Sequence, residues 1–456
     1  MAKITAMEAY KLLPKTNCKD CGEATCMSFA LKLVSREAEL GKCPHLKGGE
    51  LHELSDKVTP YIRPVEIGVG DSAIVVGGEE VMYRHELKFF SPTKIFIDVS
   101  DSMSESEIGD RIKFASDFTV ERMGEVLTLD GLALRCASDD PKKYGKFVEK
   151  VSRRYDGPII LCSLNAKVLE QGLKIVGERK PLVYAASKDN LGEVGALAKK
   201  HDCPLVVYSS SLQELGEMTS SLGYDKIILD LGLETTGSGL GKTIDRCVMQ
   251  RRSALEDVKE LGYPLLGAPA AIWNNSKDPV VAATWESIIA AILMDRYASL
   301  LIVHSIEPWS VLPLVTLRQC IYTDPRSEPQ VDARLYKVGD PDENSPVLVT
   351  TNFSLTYFTV SGDVRKYNMD AYILVVDTKG FAVDTAVATG DLSAAKIKEA
   401  ISEFKVEEKV KHRKLVIPLF ASHLRGAIED ETGWEVLVGP RDSSSIQKYL
   451  QEKWQT

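Results

Sequence analysis

The sequence predicts an α/β protein built from a small N-terminal module, a central (β/α)8 TIM barrel and a C-terminal Rossmann-like or flavodoxin-like domain. Four cysteines lie within the first fifty residues, eight apolar runs alternate with helix-length segments between residues 94 and 305, and four more strand-like runs follow an acidic, proline-rich stretch. Alternating strands and helices are typical of parallel sheets covered by helices. We expect domains at residues 1–60, 61–325 and 326–456.

Length and composition describe an ordinary globular protein. A chain of 456 residues is too long for one hydrophobic core, and its 44% hydrophobic and 27% charged residues are average values. The net charge of −9 and the lack of a basic run argue against a nucleic-acid partner. No apolar stretch reaches membrane-spanning length, and the first residues lack the apolar core of a signal peptide. We therefore expect a cytoplasmic protein that binds no membrane.

The clustered cysteines have the spacing C-x2-C-x4-C-x16-C, and a proline follows the last of them. They are Cys18, Cys21, Cys26 and Cys43. Thiolates at such short separations can converge on one metal centre. Zinc sites usually show two separated C-x2-C pairs, whereas a final Cys-Pro is typical of ferredoxins. The spacing therefore favours a 4Fe-4S cluster, with a structural zinc site or two disulfides as the alternatives.

The remaining cysteines occur singly within apolar segments. Such positions suit buried, reduced thiols better than disulfides. These cysteines are Cys136, Cys162, Cys203, Cys247 and Cys320.

Two kinds of β-structure are predicted before residue 306. Residues 72–78 and 79–90 suggest a short hairpin with Gly77 and Gly78 between its strands. The eight apolar runs that follow fit parallel strands buried on both faces, and eight consecutive units favour a closed barrel over an open doubly wound sheet. The runs are KIFIDVS (94–100), GEVLTLDGLAL (124–134), GPIILCSL (157–164), PLVYAAS (181–187), PLVVYSS (204–210), DKIILDLG (225–232), YPLLGAP (263–269) and SLLIVHS (299–305).

Several of these runs carry polar residues toward their ends, where barrels build their active sites. The simpler interpretation is that most of these residues cap the following helices. The residues are Asp98, Asp130, Asn165, Asp230 and His304.

The C-terminal part predicts a three-layer domain with a parallel sheet. A linker is expected at residues 322–346, because that stretch is rich in Pro, Asp and Glu. Ligands of such sheets bind at the carboxyl ends of the strands, which fall here at Thr350 and Thr351, at residues 377–380 and at residues 439–441. The strand candidates are VLVTT (347–351), AYILVVDT (371–378), KLVIPL (414–419) and WEVLVG (434–439).

The whole chain resembles the large (gamma) subunit of the corrinoid iron-sulfur protein of the acetyl-CoA decarbonylase/synthase system of acetogens and methanogens. The strings that carry the resemblance are KTNCKDCGEATCMSFA, TTNFSLTYF, DTKG, HRKLVIP and WEVLVGPR. The resemblance implies a methyltransferase subunit that acts as a corrinoid methyl carrier. Its Co(I) would accept a methyl group from a methyltetrahydropterin, of the folate or methanopterin type, and donate it to acetyl-CoA synthase.

The resemblance also implies partners and site residues. It implies a heterodimer with the small (delta) subunit, and a 4Fe-4S cluster on the four clustered cysteines that returns inactive Co(II) to Co(I). The corrinoid would be base-off, and its cobalt, rather than a side chain, would be the reactive atom. His423 falls in an incomplete D-x-H-x-x-G pattern, with Ala421 at the aspartate position, and we expect a surface histidine there. The expected corrinoid contacts are Thr350, Thr356, Gly380, Phe381, Ala382, Val383, Gly439, Pro440, Arg441 and Ser443.

Two alternatives of other classes stay open. The first is an electron-transfer or reductive-activator protein that uses the cluster without any corrinoid. The second is a pterin-dependent methyltransferase, because Asp98, Asn165 and Asp230 are residue types that pterin-binding barrels use to hold the pterin ring.

Overall fold

A computed structural model describes residues 4–36, 38–235 and 237–454. The chain divides into two compact units, one formed by Met1–Val120 and Val126–Thr323 and the other by Glu121–Glu125 and Asp324–Thr456. The further boundary expected near residue 60 stays a prediction. Within the described residues, no helix has the length and apolar content that crossing a bilayer requires.

The N-terminal module consists of three short helices, α1 (Ala6–Leu12), α2 (Cys26–Val34) and α3 (Gly48–Val58). Local sequence explains where the first two begin, since side-chain oxygens of Thr5 and Thr25 accept N–H groups of the first turns. Small and aromatic side chains close a minimal core between the helices. This core includes Ala9, Cys26, Phe29, Ala30, Leu33 and Leu54.

A small hairpin, β1 (Val65–Ile67) with β2 (Ile74–Val76), precedes the barrel. The predicted hairpin around Gly77 and Gly78 is therefore wrong, because β2 pairs with the preceding segment and residues 79–90 form no strand. The carboxylate of Glu79 holds that segment as a loop by accepting the N–H groups of Phe90 and Ser91. The hairpin packs on the core inside the barrel.

Eight parallel strands close the predicted barrel. They are β3 (Lys94–Ser100), β6 (Gly131–Arg135), β7 (Ile159–Cys162), β8 (Leu182–Ala186), β9 (Leu205–Tyr208), β10 (Ile227–Asp230), β11 (Leu265–Gly267) and β12 (Ala298–Val303). Their order around the ring is β10-β11-β12-β3-β6-β7-β8-β9. The ring closes because β12 pairs with β3, with Leu300 opposite Lys94 and Val303 opposite Ile97. The expected fold class is thus confirmed for this unit.

Helices cover the outside of the ring, where every second strand residue contributes to a large apolar layer. The helices are α4 (Glu105–Asp117), α5 (Pro141–Ser152), α6 (Ala166–Val176), α7 (Leu191–His201), α8 (Leu212–Leu222), α9 (Gly237–Leu255), α10 (Pro279–Asp295) and α11 (Pro308–Tyr322). One predicted run is split in the structure. Residues 124–134 contain β5 (Glu125–Thr128), which pairs with β4 (Thr119–Arg122), and then the start of β6.

That split places Asp130 before β6, at the amino end of a barrel strand. Its expected position at a carboxyl end is therefore wrong. The Asp130 carboxylate accepts the N–H of Ile95 at 2.9 Å and a hydrogen bond from Arg318 at 2.6 Å, so it stabilises the closed end of the barrel. A continuous apolar run of eleven residues concealed two strands with a turn between them.

The C-terminal unit has a five-stranded sheet. Its strands are β13 (Leu335–Val338), β14 (Val347–Thr351), β15 (Ala371–Val376), β16 (Lys414–Ile417) and β17 (Glu435–Val438), in the order β13-β15-β14-β16-β17. The four parallel strands follow the flavodoxin-like order 2-1-3-4, as predicted. However, β13 pairs antiparallel with β15 inside the stretch expected to be a linker, so the prediction of a purely parallel sheet is wrong at this edge.

Helices on both faces complete the three layers. One apolar core lies on the side of α13 (Val383–Thr389), α14 (Ala394–Glu403) and α15 (Arg425–Thr432). The other lies on the side of α12 (Ser354–Lys366) and α16 (Ile446–Lys453). Because helices cover both faces of the parallel strands, a ligand can reach the sheet only at its ends. In sheets of this kind, ligands bind at the carboxyl ends of the strands.

Gly131 offers a test of packing inside the barrel. A Cβ atom at this position would overlap the ring of Phe96, whereas a Cβ atom at Gly192 in α7 meets nothing within 4 Å. We expect Gly131→Ala to destabilise the barrel by about 1–3 kcal/mol through overpacking, and Gly192→Ala to stabilise it by up to about 1 kcal/mol through helix propensity. Thermal unfolding followed by circular dichroism measures both. A Gly131→Ala protein as stable as the parent would contradict the described interior packing.

Candidate functional site

The N-terminal cysteines lie on a loop whose backbone repeatedly enters the left-handed region. Lys15, Asn17, Lys19 and Gly22 have φ angles of 59°, 50°, 70° and 86°. Alternation of this kind forms concave nests of backbone N–H groups, which suit anions and iron-sulfur clusters. The Asn17 side chain fixes the loop to the following helix, because its Oδ1 accepts the N–H of Cys26 at 2.8 Å.

Three of the four cysteines belong to one small apolar cluster, and the fourth, Cys18, lies outside it. Cys26 is buried, Cys21 and Cys43 are half-buried against the same apolar cluster, and Cys18 is exposed. All four are free thiols, so the alternative of two disulfides is wrong. Four free thiols on and near a loop with this backbone conformation fit an iron-sulfur cluster.

Two polar residues beside Cys18 were missed from the sequence. Asp20 and His45 lie with Cys18 so that one ligand atom of each is within 4.8 Å of the others. His45 Nε2 is 2.7 Å from Asp20 Oδ2, and the hydrogen bonds from His45 and Cys18 lower the pKa of Asp20. Spacing alone did not identify this pair, because His45 reaches Asp20 across 25 residues.

A cavity of about 400 Å³ opens at the carboxyl ends of β14, β16 and β17. This is the switch point of the flavodoxin-like strand order, where the chain reverses direction across the sheet and leaves a crevice. Eight of the ten residues expected to contact a corrinoid line it. They are Thr350, Thr356, Ala382, Val383, Gly439, Pro440, Arg441 and Ser443.

Gly380 and Phe381 do not line this cavity. They form the turn that leads into α13, where the Gly380 N–H donates to Asn352 and the Phe381 ring packs on the domain core. They directly precede Ala382 and Val383, which line the cavity. A contact between a corrinoid and Gly380 or Phe381 stays a prediction.

The cavity has an apolar rim that the sequence did not reveal. Leu355, Leu419 and Phe420 line it and are 49%, 38% and 56% exposed. Large, solvent-exposed apolar side chains beside a cavity are typical of a surface that binds a partly apolar ligand. Leu419 and Phe420 belong to a 3-10 helix after β16 whose phase cannot be derived from apolar periodicity.

Thr350 is a buried polar residue of the cavity wall. Its side chain is 1% exposed, and its Oγ1 has no hydrogen-bond partner among the described residues. A buried hydroxyl without a partner costs about 1–3 kcal/mol, so a ligand that offers a hydrogen-bonding group would remove this cost. Thr351 also has a buried, unpartnered hydroxyl, but it does not line the cavity.

Asn352 connects the cavity loop to the chain that enters this unit. Its Oδ1 accepts from the N–H groups of Thr378 and Gly380 at 3.0 and 2.9 Å, and its Nδ2 donates to Gln330 at 3.2 Å and to Asp377 at 3.0 Å. The residue is 3% exposed. Asn352 therefore holds the turn ahead of α13 in place.

A second polar site lies at the mouth of the barrel. Asp98, which is 2% exposed, accepts from Arg135 Nε and Nη2 at 2.9 and 3.0 Å and lies 2.8 Å from His304 Nδ1. Arg111 donates to the backbone oxygens of Asp98 and His304. Burial alone would raise the pKa of Asp98, but the hydrogen bonds from His304 and Arg135 outweigh it and lower this pKa.

The other predicted polar residues do not join this network. Asp230 is buried and accepts from the hydroxyl of Tyr184 at 2.8 Å, and burial raises its pKa. Asn165 caps α6 and donates to Asp139, as the simpler interpretation expected. The carboxylates of Asp98 and Asp230 thus already accept hydrogen bonds from protein donors. This argues against a role for them in binding a pterin ring.

The single cysteines follow the prediction only in part. Cys162, Cys203 and Cys247 are buried, as expected, whereas Cys136 is half-buried and Cys320 is exposed. The apolar sequence around Cys320 belongs to α11, whose two faces differ in burial and cannot be told apart from composition.

Comparison with known proteins agrees with this combination of parts. A family model described as CO dehydrogenase/acetyl-CoA synthase delta subunit matches residues 64–450, and one described as putative Fe-S cluster matches residues 13–45. The acetyl-CoA decarbonylase/synthase complex subunit gamma of Methanothermobacter thermautotrophicus is 44% identical over 98% of both chains. That of Methanopyrus kandleri is 43% identical over 99% of this chain and 98% of its own.

Among solved structures, dihydropteroate synthases match this chain at low similarity. The enzyme of Thermus thermophilus is 15% identical with a TM-score of 0.38, covering 56% of this chain and 100% of its own. That of Xanthomonas albilineans in complex with 7,8-dihydropteroate is 15% identical with a TM-score of 0.37, covering 51% and 95%.

Fold and sequence together define a protein with a module of an Fe-S family, an α/β barrel and a flavodoxin-like domain. The match over nearly the whole chain makes the assignment specific. The chain belongs to the family of acetyl-CoA decarbonylase/synthase complex gamma subunits.

The ionised Asp98 predicts a pH-dependent contribution to stability. We expect Asp98→Asn to cost about 1–3 kcal/mol near pH 7, a moderate loss because Arg135 is half-exposed and solvent screens it. Since folding lowers this pKa, the contribution is present above the unfolded-state value of about 3.9 and is lost as the pH falls through the folded-state value.

Urea denaturation at pH 7 and near pH 3 measures the difference between the parent and the variant. The difference should shrink at the lower pH. The control is Asp110→Asn, which alters an exposed carboxylate of α4 and should change little at either pH. A difference between parent and Asp98→Asn that does not depend on pH would show that Asp98 is not ionised in the folded barrel.

Proposed function

We propose that this chain is the corrinoid methyl carrier of an acetyl-CoA decarbonylase/synthase complex. The observation that carries the proposal is the switch-point cavity with an apolar rim and an unpartnered Thr350 hydroxyl, in a chain of this family. When bound, the corrinoid would supply a cobalt that accepts a methyl group from a methyltetrahydropterin and donates it to acetyl-CoA synthase.

The chain's own residues would hold the macrocycle against the ends of the sheet. Thr350 offers a hydroxyl from β14, and Thr356 offers a second one from the following helix. The loop at residues 439–443 closes the opposite side, with the Gly439 backbone packed against Ile417. Small residues at these strand ends let a large flat ligand approach the backbone closely.

No imidazole lines the cavity within the described part of the chain. His423 is exposed in the 3-10 helix Leu419–Leu424, as expected for a surface residue. This arrangement supports base-off binding, in which the protein gives the metal no nitrogen ligand.

We assign a 4Fe-4S cluster to Cys18, Cys21, Cys26 and Cys43, and propose that it returns one electron to the oxidised carrier. The match to an Fe-S family model over residues 13–45 and the nest of N–H groups in the loop support an iron-sulfur cofactor. The partners we propose are the small (delta) subunit, as a heterodimer, and acetyl-CoA synthase.

Anaerobic reconstitution tests the carrier function against an electron-transfer protein without corrinoid. The protein is loaded with iron, sulfide and a corrinoid in the presence of the delta subunit, and its visible spectrum and cobalt content are recorded. Retained cobalt with corrinoid bands supports the carrier. A protein with a cluster and no cobalt would leave electron transfer as its function.

Thr350→Val tests the hydroxyl in the cavity wall. We expect the unliganded protein to keep or gain stability, by up to about 1–2 kcal/mol, because an unpartnered buried hydroxyl is removed. Affinity for cobinamide, a corrinoid without a lower base, should fall about tenfold, as for the loss of one hydrogen bond.

Thr351→Val is the matched control, since its hydroxyl is equally buried and unpartnered but lies outside the cavity. It should leave cobinamide affinity unchanged. Equal losses of affinity in the two variants would contradict a contact through Thr350.

Cys26→Ser tests the cluster. We expect it to abolish the iron-sulfur absorption and the reductive reactivation of oxidised protein, while methyl transfer by protein that was reduced beforehand is largely kept. Cys320→Ser changes an exposed cysteine outside the module and should alter neither. Electron paramagnetic resonance of the reduced proteins and single-turnover methyl transfer provide the measurements. Reactivation at the parent rate in Cys26→Ser would refute the assigned role.

A further inference from the structure

The barrel mouth contains two adjoining cavities that the carrier function does not use. The inner cavity, of about 210 Å³, is lined by Asp98, Arg135 and small apolar residues. The outer cavity, of about 350 Å³, is lined by Arg111, Val280 and Trp309 among others. Trp273 and His304 line both. In (β/α)8 barrels this end of the ring is where ligands bind.

The carboxylate of Asp98 and the imidazole of His304 already have protein partners. Both oxygens of Asp98 receive hydrogen bonds from Arg135, and His304 lies against one of them. Arg111 places its Nη2 3.0 Å from Nε2 of His304, so both ring nitrogens of His304 already have a partner. Among the described residues, the inner cavity therefore offers a ligand no free carboxylate, because Asp98 is its carboxylate and is already paired.

Donor groups are left over. Arg135 uses Nε and Nη2 on Asp98, and its Nη1 has no partner within the described residues. Arg111 uses Nη1 and Nη2, and its Nε has none there. Two guanidinium groups thus line the cavities, Arg135 the inner one and Arg111 the outer one. The Asp98 carboxylate pairs with Arg135, whereas Arg111 forms no ion pair among the described residues. Guanidinium edges of this kind bind carboxylates and other planar anions.

Aromatic and apolar side chains form much of the remaining wall, together with Asn274 at the inner cavity and Ser305 at the outer one. The Trp273 ring packs beside His304 with 4.6 Å between ring centroids, and Trp309 and Val280 are 46% and 62% exposed at the outer cavity. A dry cavity of about 150 Å³ is enough to hold benzene, so the inner cavity has room for one substituted ring. The exposed carboxylate of Glu307 also lines the outer cavity and would repel an anion from that rim.

We propose that the barrel mouth binds a small planar organic acid, whose carboxylate faces Arg135 and Arg111 and whose ring lies beside Trp273. This site belongs to the barrel unit, and its residues are separate from those assigned to the corrinoid. Its existence therefore does not depend on the carrier function.

Three probes separate charge from shape. Benzoate offers both ring and carboxylate, benzamide offers the ring alone, and acetate offers the charge alone. Isothermal titration calorimetry of the full chain should show benzoate binding at least about tenfold more tightly than either of the others. Equal affinities for benzoate and benzamide, or no benzoate binding up to about 10 mM, would overturn the proposal.

Two neighbouring valines provide a matched pair of charge variants. Val280→Asp adds a carboxylate to the cavity wall, whereas Val281→Asp adds the same charge next to it on a residue that is 46% exposed and lines neither cavity. We expect benzoate affinity to fall at least about fivefold in the first and less than about twofold in the second. Equal effects would overturn the proposal.

Trp309→Ala and Trp285→Ala form a second pair. Both side chains are about half exposed, but only Trp309 lines the outer cavity. Benzoate affinity should fall in Trp309→Ala and stay unchanged in Trp285→Ala, while both proteins keep the parent's thermal stability. Unchanged affinity in Trp309→Ala would remove the outer cavity from the proposed site.

Discussion

The pairing of β12 with β3 is the constraint on which the barrel unit depends. It closes a ring whose first and last strands lie about two hundred residues apart, and it brings His304 within 2.8 Å of Asp98. In an open sheet these two residues would lie at opposite edges. Since all eight strands run in the same direction, closure also places Arg135 and Tyr184 at the same mouth.

The two units differ in how the polar residues at the carboxyl ends of their strands are hydrogen-bonded. Ring closure in the barrel brings charged and polar side chains from neighbouring strand ends together. The Asp98 carboxylate therefore has Arg135 and His304 as hydrogen-bond partners without any ligand. The open sheet of the C-terminal unit has a reversal of strand order instead. At this point no neighbouring side chain among the described residues completes the hydrogen bonding of Thr350, and apolar residues stand exposed around it. Among the described residues, Thr350 thus leaves a buried hydroxyl without a partner at the edge of the open sheet, next to the cavity.

Sequence patterns predicted the elements that depend on local or periodic information. The eight barrel strands follow from apolar runs, and the grouping of the four cysteines follows from their spacing. The rule that ligands bind at strand ends correctly placed Thr350 and residues 439–441 at the cavity, whereas Thr351 and residues 377–380 do not line it. Features that depend on long-range pairing were missed. Arg111 and Arg135 carry no distinctive local pattern, and β13 was hidden in a stretch whose Pro and acidic residues resemble a linker, although its pairing with β15 decides its structure.

Long-range contacts also explain why part of the stretch expected to be a linker, residues 322–346, is fixed to the C-terminal unit. Asn352, at the end of β14, donates to Gln330 and accepts the backbone N–H of Gly380, while its own carbonyl receives the N–H of Val331. The chain around residue 330 is thereby fixed to the loop that forms one wall of the cavity. A displacement of the segment around residue 330 would disturb the hydrogen bond between Asn352 and Gly380, because the same buried Asn352 side chain bonds both segments. Asn352 thus couples the route of the chain into the C-terminal unit to the shape of its ligand site.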